Sequence, residues 1–497
     1  MHRPTANIAA FLAILAISLG FGTRAYAQGS DDSRRIEQLT TEVAELKAMV
    51  LQLQKQVAES APSAAPSPSK PPLSSAVTQV VGVAPAAPPS PAIPPPVAAA
   101  AGSSAGAEVP NPAPVPSKSI ADRLLDGFTI NGILDTYYEY NANEPIGRVN
   151  YLRAYDVSSN NFSLNQADLI LESAPDSSKS KPFGVRIDFQ YGQATATLQG
   201  NPANELRPEI YRNIYQAYGT YIVPIGNGLN IDFGKWASSL GLEGNYTKDQ
   251  FNYSRSFWFN YLPFYHTGLR LKYPINDQLA VNFWITNGTQ QTEAFNNYKD
   301  QLYGLVWTPS PKFSWVLNYY RGQEHPDVVY VQNPGPGQQD LPEQQGTYFE
   351  PIPNPPTGLL NIGDTYVTWQ VTGPLTLAAE ADYVEEKLYT TAPPEHVSGG
   401  AGYAVYQFNQ QLSLAARGEY LADQGGLFSG VTQDLKEATL TLAYRPAGDG
   451  FLIDLEYRRD WSNQPYFLSS LLGVLEKEQP TIGFGVVWWF GQKQGAW

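Results

Sequence analysis

Residues 183–192 read Phe-Gly-Val-Arg-Ile-Asp-Phe-Gln-Tyr-Gly, so that every second side chain is apolar. Successive side chains of a β-strand point to opposite faces, and this stretch therefore predicts a strand with one apolar face and one face that carries Arg186 and Asp188. The same alternation recurs in residues 269–273, 279–286, 313–320, 451–458 and 482–490. The repeated pattern predicts an all-β protein.

The aromatic ends of these segments and the lengths of their connections favour a membrane barrel over a soluble sandwich. Their apolar faces often end in Tyr, Trp or Phe, as the strands of membrane barrels do at the lipid interfaces. Short connections such as 224–228 and 274–277 alternate with long ones such as 321–361 and 460–478. Outer-membrane barrels combine short periplasmic turns with long external loops in this way.

We predict an all-β fold, a transmembrane antiparallel β-barrel of about sixteen strands (between about 14 and 18), preceded by a short coiled-coil helix and a disordered Pro/Ala-rich linker. The predicted strands start near residues 128, 162, 183, 214, 229, 265, 279, 302, 313, 364, 375, 399, 412, 436, 451 and 480. Residues 240–262 are dense in aromatics and are compatible with a further strand or with an inward loop. A barrel of this width leaves an aqueous channel.

Composition excludes several classes of protein. The 497 residues include no Cys, which excludes disulfides and thiolate metal sites. The net charge of −14 argues against a nucleic-acid partner, because phosphate-binding surfaces are basic. Charged residues make up 16%, against roughly 25% in ordinary soluble domains, and aromatic residues make up 12%.

The first 27 residues have the features of an export signal. Arg3 supplies a positive start, residues 8–21 form an apolar core, and Ala25-Tyr26-Ala27 is a small-x-small cleavage site. The apolar run is shorter than the ~20 residues that a membrane-spanning helix needs. We therefore predict a signal peptide over residues 1–27 and a barrel domain over residues 119–497, placed in the bacterial outer membrane.

Residues 28–59 are predicted to form a coiled coil, and residues 60–118 a Pro/Ala/Ser-rich linker. An unbroken heptad pattern places apolar residues at Ile36, Leu39, Val43, Leu46, Val50, Leu53 and Val57. Branched residues at a positions with Leu at d positions favour a dimer. Sixteen of the 59 linker residues are Pro, and such a segment cannot bury a core. We expect this N-terminal part to lie in the periplasm and to contact other chains or the peptidoglycan layer.

Several strings of the C-terminal region together resemble the OmpL-like putative beta-barrel porin family. They are residues 132–138, 152–156, 161–167, 184–192 and the pair Gly234-Lys235. The resemblance covers roughly residues 120–497, whereas the heptads and the linker lie outside it. It implies an outer-membrane porin, which favours a trimer, and it supplies no catalytic residues.

The sequence predicts no enzyme, no cofactor and no metal site. It contains four His and lacks metal-ligand spacings, phosphate-binding loops and nucleophile motifs. His266 is expected to face the lumen as a packing or pore-lining residue, and His325 and His396 are expected in external loops.

For a porin, the charges that face the lumen control which solutes pass. We predict that the pore is lined by Asp168, Glu172, Arg186, Asp188, Arg270, Lys272, Arg417, Glu419, Asp454 and Arg458. These charges either form a transverse field across the pore or neutralise each other in cross-strand pairs. Expected partners are outer-membrane lipid, small hydrophilic solutes or ions, and further copies of the chain. The alternative function is a structural tether with a plugged barrel.

Overall fold

The computed structural model describes residues 127–176, 181–199, 205, 208–332, 347–446 and 449–493. The predicted signal peptide, coiled coil and linker lie outside these residues. These interpretations stay predictions.

Sixteen strands form one closed antiparallel barrel in which each strand pairs with its neighbours along the chain. They are β1 (Phe128–Asn141), β2 (Asn161–Ser173), β3 (Phe183–Tyr191), β4 (Ile214–Val223), β5 (Leu229–Ala237), β6 (Tyr265–Pro274), β7 (Leu279–Thr286), β8 (Asp300–Ser310), β9 (Phe313–Gly322), β12 (Leu360–Gln370), β13 (Leu375–Glu386), β14 (Glu395–Gln407), β15 (Leu412–Asp423), β16 (Gln433–Tyr444), β17 (Phe451–Ser462) and β20 (Glu478–Gly491). Strand β20 pairs with β1 and closes the barrel.

The remaining elements lie in the connections. Two hairpins are formed by β10 (Val328–Gln332) with β11 (Thr347–Pro351) and by β18 (Phe467–Leu468) with β19 (Leu475–Glu476). The helices are α1 (Gln193–Gln199), α2 (Pro208–Tyr211), α3 (Phe257–Tyr261) and a 3-10 turn (Thr247–Asp249). Among the described residues, none of the helices has both the length and the apolar character needed to cross a membrane.

The predicted antiparallel barrel of sixteen strands is confirmed, and each strand starts within four residues of its predicted position. One local prediction is wrong. His396 lies within β14 and pairs across the ladder with Glu385 instead of lying in a loop. Its ring accepts or donates a hydrogen bond of 2.8 Å with the Tyr383 hydroxyl on the neighbouring strand.

The outer surface of the barrel is apolar and is bordered by aromatic side chains at both ends. Exposed aromatics near the short turns include Phe183, Trp307, Trp369, Tyr406 and Trp488. Those near the long loops include Tyr140, Phe162, Tyr319, Tyr383 and Tyr420. This arrangement suits a lipid-facing band with interfacial aromatic girdles.

The two ends of the barrel differ in the length of their connections. At one end the turns are as short as residues 311–312, 275–278 and 224–228, and at the other end the connections include residues 142–160, 238–264 and 323–359. We refer to these as the turn end and the loop end. By the usual rule for outer-membrane barrels, the turn end faces the periplasm.

Candidate functional site

Residues 238–264 connect β5 to β6 and fold into the barrel lumen; we call them the inward segment. Its two ends meet at the wall, where the Ser238 amide donates a hydrogen bond of 2.9 Å to the Phe264 carbonyl. Between these ends the chain contains the 3-10 turn and α3. The aromatic-rich stretch thus forms an inward loop and no further barrel strand.

One side of the inward segment is bound to the first three strands. The Thr247 hydroxyl donates to Asp135 at 2.7 Å, and the Tyr253 hydroxyl donates to the other oxygen of Asp135 at 2.8 Å. Burial, reinforced by Asp135, raises the pKa of Tyr253, so its hydroxyl keeps its proton and stays a donor. The Tyr246 hydroxyl donates in the same way to Asp188 on β3.

The opposite side is bound through main-chain amides. Glu419 on β15 accepts hydrogen bonds from the amides of Phe257 and Trp258 at 2.9 and 2.8 Å, at the start of α3. Glu456 on β17 accepts from the amide of Tyr253 at 2.8 Å. Carboxylates that bind main-chain amides satisfy buried donors that would otherwise cost free energy.

Two arginines of the wall bind carbonyl groups of the same segment. The guanidinium of Arg417 donates to the Ser254 carbonyl at 2.8 Å and forms ion pairs with Glu243 and Glu437, both at 2.7 Å. Arg458 donates to the Arg255 carbonyl. Both side chains are fully shielded from solvent, so these interactions are not weakened by screening.

Arg255 organises the segment internally. Its side chain is fully buried and donates to the carbonyls of Gly244, Tyr253 and Asn245 at 3.0, 2.7 and 2.9 Å. The guanidinium also lies over the ring of Tyr155, 4.9 Å from the centroid. One side chain therefore ties three points of the inward segment together.

A glycine on β20 makes room for the segment. A Cβ atom at Gly485 would lie 2.4 Å from the ring of Tyr253, closer than real Cβ atoms approach other atoms. The absence of a side chain at this inward position lets the ring reach Asp135 on β1. Any larger residue would have to displace Tyr253.

The loop between β1 and β2 also enters the lumen and packs on the segment. The Tyr155 hydroxyl donates to Asn245 at 2.5 Å. Arg153 forms ion pairs with Asp156 and, at 2.8 Å, with Asp460 on β17. Burial alone would lower the pKa of Arg153. The carboxylates of Asp156 and Asp460 outweigh this effect and raise that pKa above its ordinary value.

The strand alternation places all ten predicted pore-lining residues on the face that points to the lumen. Five of them bind the inward segment directly: Arg186, Asp188, Arg417, Glu419 and Arg458. Asp168 accepts a hydrogen bond from Gln190, which also donates to Asn245 of the segment, and Glu172 lies 3.9 Å from Arg186. Among the described residues, no hydrogen bond or ion pair joins the segment to Arg270, Lys272 or Asp454. Lys272 is exposed near the turn end, whereas Asp454 is buried.

Local pairing describes most of these charges better than a transverse field. Arg186 pairs with Asp188 on its own strand at 2.9 Å. Arg270 pairs with Asp232 on the adjacent strand at 2.7 Å. Because each arginine is neutralised by a near neighbour, little of its field crosses the lumen.

The predicted lumen residue His266 is a buried packing residue. Its Nε2 lies 3.1 Å from the Ser238 hydroxyl, and its ring lies against Trp284 and Tyr320. All three aromatic side chains are shielded from solvent. This cluster supports the start of the inward segment from the side of β6 to β9.

Cavities lie beside the inward segment, and two of them are defined by the residues that line them. The smaller, of about 340 Å³, lies between the segment and β3 and β4, and its lining includes Arg186, Tyr215, Gln216, Glu243 and Asp249. The larger, of about 560 Å³, lies toward the loop end, and its lining includes Arg153, Thr197, Thr289 and Glu386. Residues 262–264 belong to the lining of both cavities and form the wall between them.

A closed barrel with an apolar outer band, a polar inner face and a loop folded into its lumen defines a transmembrane channel of the outer-membrane type. Residues 127–490 match the family "Putative beta-barrel porin-2, OmpL-like", and the chain belongs to this family of outer-membrane porins. Its location is the bacterial outer membrane. No curated protein sequence matches the chain.

The fold is similar to those of solved outer-membrane proteins at low sequence identity. The anion-selective porin from Comamonas acidovorans is 10% identical, with 73% of this chain and 99% of that chain covered and a TM-score of 0.46. The outer membrane channel DcaP of Acinetobacter baumannii is 12% identical, with coverages of 75% and 99% and a TM-score of 0.43. OprB of Pseudomonas putida is 14% identical, with coverages of 74% and 96% and a TM-score of 0.43.

Proposed function

We propose that the protein is a non-enzymatic porin through which small hydrophilic solutes or ions pass by passive diffusion, with the inward segment at the narrowest point. The observation that carries this proposal is the set of bonds from residues 238–264 to opposite sides of the wall. These bonds hold a loop across the lumen at a fixed position. The cavities of about 340 and 560 Å³ beside it are the spaces that a passing solute would use.

The charge along this passage supports a mild preference for cations. The predicted barrel region carries a net charge of about −15, since the whole chain has −14, the signal peptide contributes two Arg, and residues 28–118 contribute −1. The smaller cavity is lined by Glu243 and Asp249 together with Arg186. Arg186 is paired with Asp188, Glu243 with Arg417 and Asp249 with Lys248, so the preference for positive ions rests on the net negative charge of the barrel region.

The test is single-channel recording of the purified mature protein in a planar bilayer with a salt gradient. We expect discrete conductance steps and a reversal potential on the side of cation preference. A reversal potential of the opposite sign would contradict the charge argument. The absence of any conductance from a folded barrel would contradict passive diffusion. It would favour the second candidate function, a plugged barrel that tethers the envelope. The contacts of the inward segment around the lumen also fit that function.

The substitution Asp249→Asn should reduce the cation preference. It removes a negative charge from the lining of the smaller cavity and leaves the positive charge of Lys248, which pairs with Asp249 at 2.7 Å, without that partner. A unit charge acting at ~4 Å in water is worth ~1 kcal/mol, so we expect the cation-to-anion permeability ratio to fall about two- to fivefold. The matched control is Asp434→Asn, because Asp434 bonds to the exposed Tyr420 hydroxyl outside the lumen. Equal permeability ratios in the two variants would contradict a role for Asp249.

The N-terminal part is proposed to lie in the periplasm. There it would connect protomers or contact peptidoglycan. The heptads favour a dimer, and the porin resemblance favours a trimer. Deletion of residues 31–118 should therefore leave single-channel conductance unchanged while it alters the oligomeric mass or envelope attachment. Size-exclusion chromatography with light scattering measures the oligomeric mass, and bilayer recording measures the conductance. Loss of conductance from a correctly folded deletion variant would contradict this division of roles.

A further inference from the structure

Three carboxylates converge where the inward segment begins. Asp364 on β12 and Asp382 on β13 are directly opposite each other in the strand register, and Glu380 lies two residues before Asp382 on the same face. One oxygen of each carboxylate lies within 4.8 Å of the others. Their exposed fractions are 1%, 5% and 5%, so the group is buried in the lumen.

Part of this group is satisfied by the protein. Asp364 accepts hydrogen bonds from the Asn318 side chain at 2.7 Å and from the Gly241 amide at 3.0 Å. One oxygen of Glu380 accepts from the Leu242 amide at 3.3 Å. These bonds orient two of the three carboxylates toward a common point at the segment.

Among the described residues, the rest of the group has no partner outside the three carboxylates. Both oxygens of Asp382 and the second oxygen of Glu380 are buried without a hydrogen-bond donor. Arg417 on β15 is engaged by Glu243 and Glu437 instead. Burying carboxylates without a counter-charge is costly, and a bound cation would remove that cost.

We propose that Asp364, Glu380 and Asp382 bind a divalent metal ion, with Ca²⁺ as the preferred ion. Ca²⁺ binds carboxylate oxygens at ~2.3–2.6 Å, so two oxygens on opposite sides of the ion are about 4.8 Å apart. The three oxygens, all within 4.8 Å of one another, lie close enough to share one such ion. Water would complete the six to eight ligands that Ca²⁺ takes. Mg²⁺ is less suited, because it demands shorter distances and octahedral geometry.

The site also joins the inward segment to the wall. Gly241 has a φ of +86°, which favours glycine, and a Cβ there would lie 3.4 Å from the Glu380 carboxylate. The chain thus passes close to the carboxylates with its amides directed at them. A bound ion would fix the start of the segment to β12 and β13. This inference concerns ion binding and is independent of whether the pore conducts.

The experiment is calorimetric titration of CaCl₂ into the mature full-length protein, purified in detergent without lipopolysaccharide and treated with chelator. The acidic lumen will bind ions weakly at several places, so the variants isolate the site. Asp382→Asn and Glu380→Gln should each weaken the tightest Ca²⁺ binding more than about tenfold. Asp454→Asn, which alters another buried lumen carboxylate, should leave it unchanged.

A shift in gel mobility on heating shows that each variant has folded. Because two site variants are compared, the test does not depend on one of them alone. Loss of the tightest Ca²⁺ binding in both, with retention in Asp454→Asn, supports the site. Identical titrations of the unaltered protein and the two folded site variants would overturn it. Tighter binding of MgCl₂ than of CaCl₂ at the same residues would overturn the preference for Ca²⁺.

Discussion

Replacement of residues 239–263 by a short Gly/Ser linker is expected to raise single-channel conductance several-fold while the sixteen strands stay folded. The cut ends are already together, because the Ser238 amide and the Phe264 carbonyl are 2.9 Å apart. A linker of a few residues therefore closes the chain as an ordinary hairpin. The ladder hydrogen bonds of β5 with β6 are not touched.

The size of this effect follows from the width of the barrel. Barrels of sixteen strands leave an aqueous channel when no loop fills them, and here the inward segment binds wall strands as far apart as β1 and β15. Without it, wall groups such as Glu419 and Arg417 would be solvated by water in the lumen. The open cross-section, and with it the ion current, would increase.

The matched control removes the hairpin β10–β11 at the same end of the barrel. In the described sheets these two strands pair only with each other, so their removal should leave conductance unchanged. Planar-bilayer recording measures the conductance of both variants, and the shift in gel mobility on heating tests whether each has folded. If the linker variant folds and conducts like the unaltered protein, the inward segment does not limit passage.

The substitution Arg417→Met is expected to destabilise the barrel by about 3–5 kcal/mol, the usual cost of removing one partner of a buried ion pair. Arg417 is shielded from solvent and pairs with Glu243 on the segment and Glu437 on β16. Glu243 would lose its cation, Glu437 would keep only the longer pair with Arg458 at 3.6 Å, and the Ser254 carbonyl would lose its donor. Urea unfolding in detergent or lipid measures the change in free energy.

An exposed ion pair on β17 and β20 provides the matched control for Arg417→Met. Arg459→Met removes the same charge from a pair with Glu478 at 2.6 Å, but both side chains are 47% exposed. An exposed pair contributes about 1 kcal/mol or less. Similar losses in both variants would show that burial does not strengthen the Arg417 pairs, and would contradict the view that they hold the segment.

The strands were predictable from the sequence because their pattern is local. A strand alternates its side chains with a period of two whatever its partner is, so Arg186 and Asp188 are assigned to one face by the chain itself. The same property identified the lipid-facing aromatics and the strand starts. The lengths of turns and loops, read directly from the sequence, indicated which end carries the long connections.

The roles of the lumen charges were not predictable in this way. Arg417 and Glu419 are equivalent in pattern, yet one binds two carboxylates and the other binds main-chain amides of α3. The partners lie far away in sequence, 162 residues in the case of Glu419 and Phe257. Whether such a charge faces a solute or holds a loop depends on the path of that loop.

The sequence by itself determined the barrel, the inward and outward faces and the aromatic borders, because these follow from the fixed geometry of a pleated strand. Only the tertiary structure decided that residues 238–264 cross the lumen and that Asp364 is opposite Asp382. Strand register and loop path arise from contacts between residues that are distant along the chain. Such contacts leave no periodic signal in a single sequence, since each depends on the folded position of both partners.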